Sequence, residues 1–290
     1  MNRYRALVAA AACTAMLALA FAARAEASAP MRIVSLAPSV TETLFTLGAG
    51  PEVVGVSQYC DYPPAATRLP RVGSFLVPNL EEIIALRPTL IIGLGLSSDL
   101  RQIHALRAMG YPVLLVNDES LAQIEDSIAT VGAQIGRAEQ AKALVAKIRA
   151  QIAAIRARLK DTAPVRVLML VGHQPIVAVG AGTFLNELLK IARANNIAAA
   201  SGEQWPQISL EYIIAMHPAV ILDGSMGTDP ASPDRFWEQY ASIPAVRNDR
   251  VEGYSQDLLL RAGPRVGKSL ETIARMIHPK AFQPKAEPRP

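Results

Sequence analysis

The chain reads as an α/β protein: two Rossmann-like α/β lobes joined by a single long rigid helix, with a ligand cleft between the lobes. Three observations carry that reading. The first is a duplicated segment. Asn79-Leu-Glu-Glu-Ile-Ile-Ala-Leu-Arg-Pro-Thr-Leu-Ile-Ile returns as Ser209-Leu-Glu-Tyr-Ile-Ile-Ala-Met-His-Pro-Ala-Val-Ile-Leu. Each copy has a capping residue, an acidic first turn, an apolar helix core, a stopping proline and a buried-strand run. The copies lie 130 residues apart, from Glu81 to Glu211. That is far beyond a solenoid period of roughly 20–50 residues, so the repeat marks two lobes of similar build. Second, short apolar runs alternate with helical periods through both halves, the pattern of βα units on a parallel sheet. Third, residues 138–159 contain no Pro or Gly and place Leu144, Ile148, Ile152, Ile155 and Leu159 at helical spacing between the two copies.

The elements follow in order. Arg32-Ile-Val-Ser-Leu-Ala opens the first lobe as a strand, and Ser39 caps a helix over 40–47. A strand at 53–56 leads into a Pro-rich loop over 57–70. The first repeat copy gives a helix ending before Pro88 and a strand at 90–93. A helix near 99–109 and a strand at 113–116 complete the lobe. The second lobe starts with a strand at 165–171, then the loop Gly172-His-Gln-Pro175. Thr183 caps a helix over 184–194. The second copy supplies a helix and a strand at 220–222. A polar loop over 224–233, a helix near 235–241, a strand at 251–254 and a helix over 264–277 follow. The boundaries are 1–25 signal peptide, 26–137 first lobe, 138–161 connecting helix, 162–278 second lobe, and 279–290 disordered tail, rich in Pro and basic residues.

The N-terminus sets the compartment. Arg3 and Arg5 precede an uncharged, mostly apolar run over 6–23, and small residues then alternate around Ala25 and Ala27. This is a secretory signal, cleaved after Ala25 or Ala27, and it predicts export to the periplasm. Losing Arg3, Arg5 and Arg24 takes the net charge from +4 to +1, so the basicity belongs to the signal and supports no nucleic-acid partner. Cys60 is then the lone cysteine, so no internal disulfide forms.

Ligands of open α/β sheets sit beyond the carboxyl ends of the strands. Aromatics are only 5% of the chain, so loop aromatics there stand out. Tyr59, Phe75 and Trp205 either stack on a flat ligand or pin their own loops. His173, at a strand end, is either an axial ligand to a cobalt or iron macrocycle or a loop-stabilising histidine. Asp257 and Arg261 either anchor polar ligand groups or pair with each other. No two histidines share a helix face at metal-ligand spacing, so no metal site is expected. Ala262-Gly-Pro-Arg-Val-Gly-Lys-Ser269 imitates a phosphate loop, but only a short helix follows it at the chain's end. There is no nucleophile elbow and no nucleophile–base pair, so an enzyme is not expected. Glu81 and Glu211, each in a first helical turn, are either dipole-favoured residues or matched docking charges for a two-fold partner.

Over nearly its whole mature length the chain resembles the class III periplasmic substrate-binding proteins of ABC importers, a group serving vitamin B12, ferric siderophores and haem. The stretches that carry the likeness are Arg32-Ile-Val-Ser-Leu-Ala-Pro-Ser, Gly55-Val-Ser-Gln-Tyr-Cys-Asp-Tyr-Pro-Pro64, Asn79-Leu-Glu, Trp205-Pro-Gln-Ile-Ser-Leu-Glu211 and Arg261-Ala-Gly-Pro-Arg265. The resemblance is strongest to the vitamin B12-binding members. It implies limited hinge motion, a monomer, docking of Glu81 and Glu211 on arginines of the permease dimer, and no resident cofactor. The cargo it implies is a corrinoid such as cobalamin, with haem or a ferric siderophore as the alternative. Tyr59, Trp205, Asp257 and Arg261 fall on ligand-contacting positions of those members, and Phe75 falls where they carry Trp. Leu94, Val177 and Leu258 stand where they carry other aromatics. For haem, Tyr59 or His173 would be the iron ligand.

Overall fold

The structure is a computed structural model and describes residues 30–74, 76–95, 100–224 and 236–283. The proposed signal segment, Phe75 and the end of the tail lie outside the described residues.

The first lobe holds a four-stranded parallel sheet in the order β2-β1-β3-β4: β1 (Ile33–Ser35), β2 (Val53–Val56), β3 (Leu90–Leu94) and β4 (Val113–Val116). Val and Ile dominate these strands because both faces are covered, by α1 (Pro38–Thr46) and α4 (Leu121–Gln134) on one side and α2 (Leu80–Ala85) and α3 (Leu100–Ala108) on the other. The second lobe repeats the order with β7 (Ala194–Asn196), β5 (Val165–His173), β8 (Val220–Asp223) and β9 (Val251–Gly253), all parallel. It adds β6 (Ile176–Ala178), antiparallel to the far end of β5. Its helices are α6 (Phe184–Ile191), α7 (Leu210–Met216), α8 (Pro244–Arg247), α9 (Gln256–Leu259) and α10 (Val266–Ile277). Strands β6 and β7 are too short to leave a period in the sequence; the helix expected over 184–194 ends at Ile191, and Ala194 opens β7 instead.

Between the lobes runs α5 (Ala138–Leu159), a 22-residue helix with the bounds that its unbroken composition predicts. Its apolar stripe (Val145, Ile148, Ile152, Ile155, Leu159) is buried against α4 and α10, so the connector bridges the two cores. Gly136, at φ +70, makes the left-handed turn between α4 and α5. Pro279–Phe282 forms a 3-10 turn where a disordered tail was expected. The Phe282 ring explains it: the guanidiniums of Arg158 on α5 and Arg275 on α10 lie 5.1 and 4.7 Å from its centroid.

The repeat is deeper than its letters. Asn79 accepts from the amides of Glu81 and Glu82, and Ser209 accepts from that of Tyr212, so both copies start from a capped turn. Both end on a left-handed residue just before proline, Arg87 at φ 46 and His217 at φ 47. An arginine at the start of each lobe then satisfies the exposed carbonyls: Arg32 donates to those of Leu86 and Arg87, and Arg166 to that of His217.

Candidate functional site

Parallel sheets place loops and helix starts at their carboxyl edges. In the first lobe those edges deliver Pro38 and Ser39 at the start of α1, Leu94 at the end of β3, and Asp118 and Glu119 after β4. The second lobe faces them with Thr183 and Phe184 at the start of α6, Gln204 and Trp205, and the segment Leu260 to Ala262. Together they line an open cleft of about 510 Å³ between the lobes.

Most polar groups of the second wall are already engaged. Thr183 caps α6 through the Asn186 amide and donates to the Gly180 carbonyl. The Gln204 amide donates to Gly182. Trp205 remains 45% exposed, so its ring is the large surface the wall offers.

Arg261 is the only base among the described lining residues, and it is held fast. It donates to Asp61 across the cleft, to Asp257 at 2.7 Å, and at 3.3 Å to the Tyr59 carbonyl. It also lies 3.4 Å from Glu42 on α1. These partners keep the guanidinium charged, while Arg261 holds the Asp61 carboxyl below the usual carboxylate range. Arg265, one turn on, binds Glu42 at two points and stacks 4.2 Å over the Tyr62 ring. Gly263 brings the segment into contact with α1, where a Cβ would lie 3.4 Å from the Ser39 Cα and Cβ. The amide of Leu121 donates to Glu187 of α6 at 2.8 Å, a further contact across the lobes.

Opposite this network, the first wall carries a different kind of polar group. Asp118 accepts from the Ser39 hydroxyl at 3.2 Å. Burial pushes its carboxyl up to about 6, with the Ser39 bond and the Asp118 backbone bond opposing the shift and Glu119 adding to it.

The site residues proposed from sequence therefore separate. Trp205 and Arg261 line the cleft. Asp257 lies beside it, paired with Arg261. Tyr59 is not among the lining residues and is 51% exposed, with its carbonyl tied to Arg261. Leu94 lines the cleft as an aliphatic wall.

His173 is a correction. It belongs to the strand β5, not to a loop, and its Nε2 sits 2.6 Å from the buried Asp223 carboxylate. Trp237 donates to the same carboxylate at 2.8 Å, and the Phe236 ring stacks on the imidazole at 4.0 Å. The histidine is thus part of an aromatic cluster of the second lobe and is not among the described residues lining the cleft.

Glu81 and Glu211 are both exposed, in the first turns of α2 and α7. The α7 backbone and the Ser209 cap hold Glu211 below the ordinary carboxylate value. Among the described residues, no group of His, Cys, Asp and Glu is arranged to hold a metal ion.

Sequence reasoning missed Asp118, Glu42 and Arg265. The strand-end rule applied to β4 points straight to 117–119.

Two matched α/β lobes bridged by one helix, with a cleft at their strand ends, define a bilobal ligand receptor. The periplasmic binding protein family model matches residues 33–258, and the chain belongs to that family. A vitamin B12-binding protein of Salmonella choleraesuis is 30% identical over 235 residues, covering 81% of this chain and 85% of the relative. One from Pectobacterium atrosepticum is 28% identical over 253 residues, 86% of this chain and 88% of the relative. Among solved structures, the apo periplasmic haem-binding protein from Roseiflexus sp. RS-1 is similar at TM-score 0.79 and 30% identity, over 87% of this chain and 99% of that one. The periplasmic vitamin B12-binding protein of Vibrio cholerae gives 0.76 and 29%, over 87% and 98%. These relatives are named as binding proteins. No helix among the described residues is long and apolar enough to cross a membrane.

Proposed function

We propose that this protein captures a corrinoid of the vitamin B12 type in the periplasm and hands it to the permease dimer of an ABC importer. Binding and delivery are the whole mechanism, with no chemistry on the ligand. The observation that carries the cargo is the charge of the cleft. Asp118 and Glu119 face it, while Arg261, the one base among its described lining residues, already serves Asp61, Asp257 and Glu42. A haem brings two propionates, which would meet carboxylates with no spare cation among the described lining residues to pair them. A corrinoid carries neutral carboxamides around its ring, which can both donate and accept. The B12-binding names of the curated relatives point the same way.

The flat Trp205 ring supplies the stacking wall and Leu94 an aliphatic one. Asp257 with Arg261 holds the rim. The export signal over 1–25 delivers a monomer to the periplasm. Glu81 and Glu211, one per lobe, meet arginines on the two permease subunits, so the duplication within the chain matches the two-fold partner.

Titration of the purified apo-protein with cyanocobalamin, haemin and a ferric siderophore by calorimetry tests the assignment. Saturation by cyanocobalamin is expected. Saturation by haemin alone overturns the corrinoid reading in favour of haem, the second reading, which the likeness to the Roseiflexus protein supports.

A further inference from the structure

We propose that Asp118, held by Ser39, is a specificity subsite that takes the N–H of a ligand carboxamide and turns away a carboxylate at the same position. This rests on the corrinoid reading and deepens it. The argument begins with placement. Asp118 follows β4, and its carboxylate is drawn into the first wall of the cleft by the Ser39 hydroxyl at 3.2 Å. Among the described residues, Ser39 is the side chain that donates to it and its own backbone adds one bond, whereas an ionised carboxylate has about four acceptor positions.

Among the described residues that line the cleft around it, no free cation completes the set. Glu119 is its charged neighbour on the same loop and repels it. The start of α1 contributes the Ser39 hydroxyl, and α4 contributes Ser127 beside apolar Ile124 and Ile128. From the second lobe Ala262 and Gly263 face it, while Arg261 is bound to Asp61, Asp257 and Glu42. Glu187 is engaged by the Leu121 amide.

A desolvated carboxylate so placed gains from a neutral N–H donor and is penalised by an anion. Such a group discriminates well, because the wrong partner leaves a charge facing a like charge. Burial also raises the Asp118 carboxyl to about 6, so the group changes from acceptor to donor within an accessible pH range.

The test uses cyanocobalamin and its monocarboxylates, in each of which one peripheral carboxamide is replaced by a carboxylate. At pH 7.5 the wild-type protein should bind one of these isomers about tenfold or more weakly than cyanocobalamin. Asp118→Asn should bind that isomer more tightly than the wild type does and narrow the gap to about twofold. A gain of affinity is a readout that damage to the fold does not produce. Lowering the pH from 7.5 to 5 should narrow the gap in the wild type and leave it unchanged in Asp118→Asn. Ser39→Ala, which removes the partner but not the carboxylate, should keep the discrimination. An equal preference in wild type and Asp118→Asn overturns the subsite alone, and so does a wild type indifferent to every isomer. Failure of cyanocobalamin itself to bind overturns the corrinoid reading, and the subsite with it.

Discussion

Glu42 and Arg265, 223 residues apart, form a two-point ion pair across the lobes, with Nε 2.7 Å from Oε2 and Nη2 2.6 Å from Oε1. The Glu42 side chain is 1% exposed, so this pair is sealed beside the cleft. Arg261 approaches the same carboxylate at 3.4 Å. One buried acid on α1 therefore holds the segment that carries Arg261 and Arg265. Together with α5 this gives the two lobes a second tie.

Glu42→Ala should cost about 3–5 kcal/mol of stability, since two guanidiniums lose a buried partner. Chemical denaturation measures the loss. Hydrogen exchange should rise over 259–266 and at the start of α1, leaving the β5 and β8 core protected. Arg265→Lys should recover only part of the stability, because an ammonium cannot make the paired contact.

His173 and Trp205 should part company on mutation. His173→Ala removes a ring from the Phe236–Trp237 cluster and a partner from Asp223, and should cost about 2–3 kcal/mol in unfolding measurements. Its affinity for cyanocobalamin should match the wild type. Trp205→Ala should do the reverse, holding stability within about 1 kcal/mol and weakening binding roughly tenfold to a hundredfold. Loss of affinity in His173→Ala with its stability intact would return that residue to the cleft.

The double variant Glu81→Ala with Glu211→Ala should keep the wild-type affinity for ligand and abolish transport in cells. Both side chains are exposed, so its stability should change by no more than about 1 kcal/mol. Unchanged uptake would reduce both residues to helix-start charges.

The lobes and the connector were legible in the sequence because their signals are local. Ile-Ile-Ala periods, a stopping proline and the breaker-free 138–159 run each declare an element without reference to the rest of the chain. The left-handed Arg87 and His217 were hidden, because no proline rule predicts φ > 0 at the preceding residue. The site was legible only by position. A strand end tells which residues reach the crevice edge, and so found Trp205 and Arg261. It does not tell which way a side chain turns, and so misled for His173, whose strand continues past the expected end into the hairpin with β6. The Glu42–Arg265 pair left no trace, since partners 223 residues apart form no spacing pattern.

Asp118 should also mark itself in the pH dependence of stability. Its carboxyl stands at about 6 in the folded protein against an ordinary 3.8. Between those values the native state holds a proton that the unfolded chain has released, so this group's contribution to stability falls as pH rises through the window. Below pH 4 both states are protonated and the cost vanishes. Above pH 6 the full cost of the buried charge is present, about 3 kcal/mol from the separation of the two values. Asp118→Asn keeps the shape and removes the titration. The stability of Asp118→Asn relative to wild type should therefore start near its lowest at pH 4, climb through pH 6 and level off by pH 7. Urea unfolding of both proteins at half-unit pH steps reads the difference directly, and every other titrating group cancels between them. A difference that is flat with pH would mean that Asp118 is solvated in the apo-protein. Its place in the wall of the cleft would then set no charge preference on what enters.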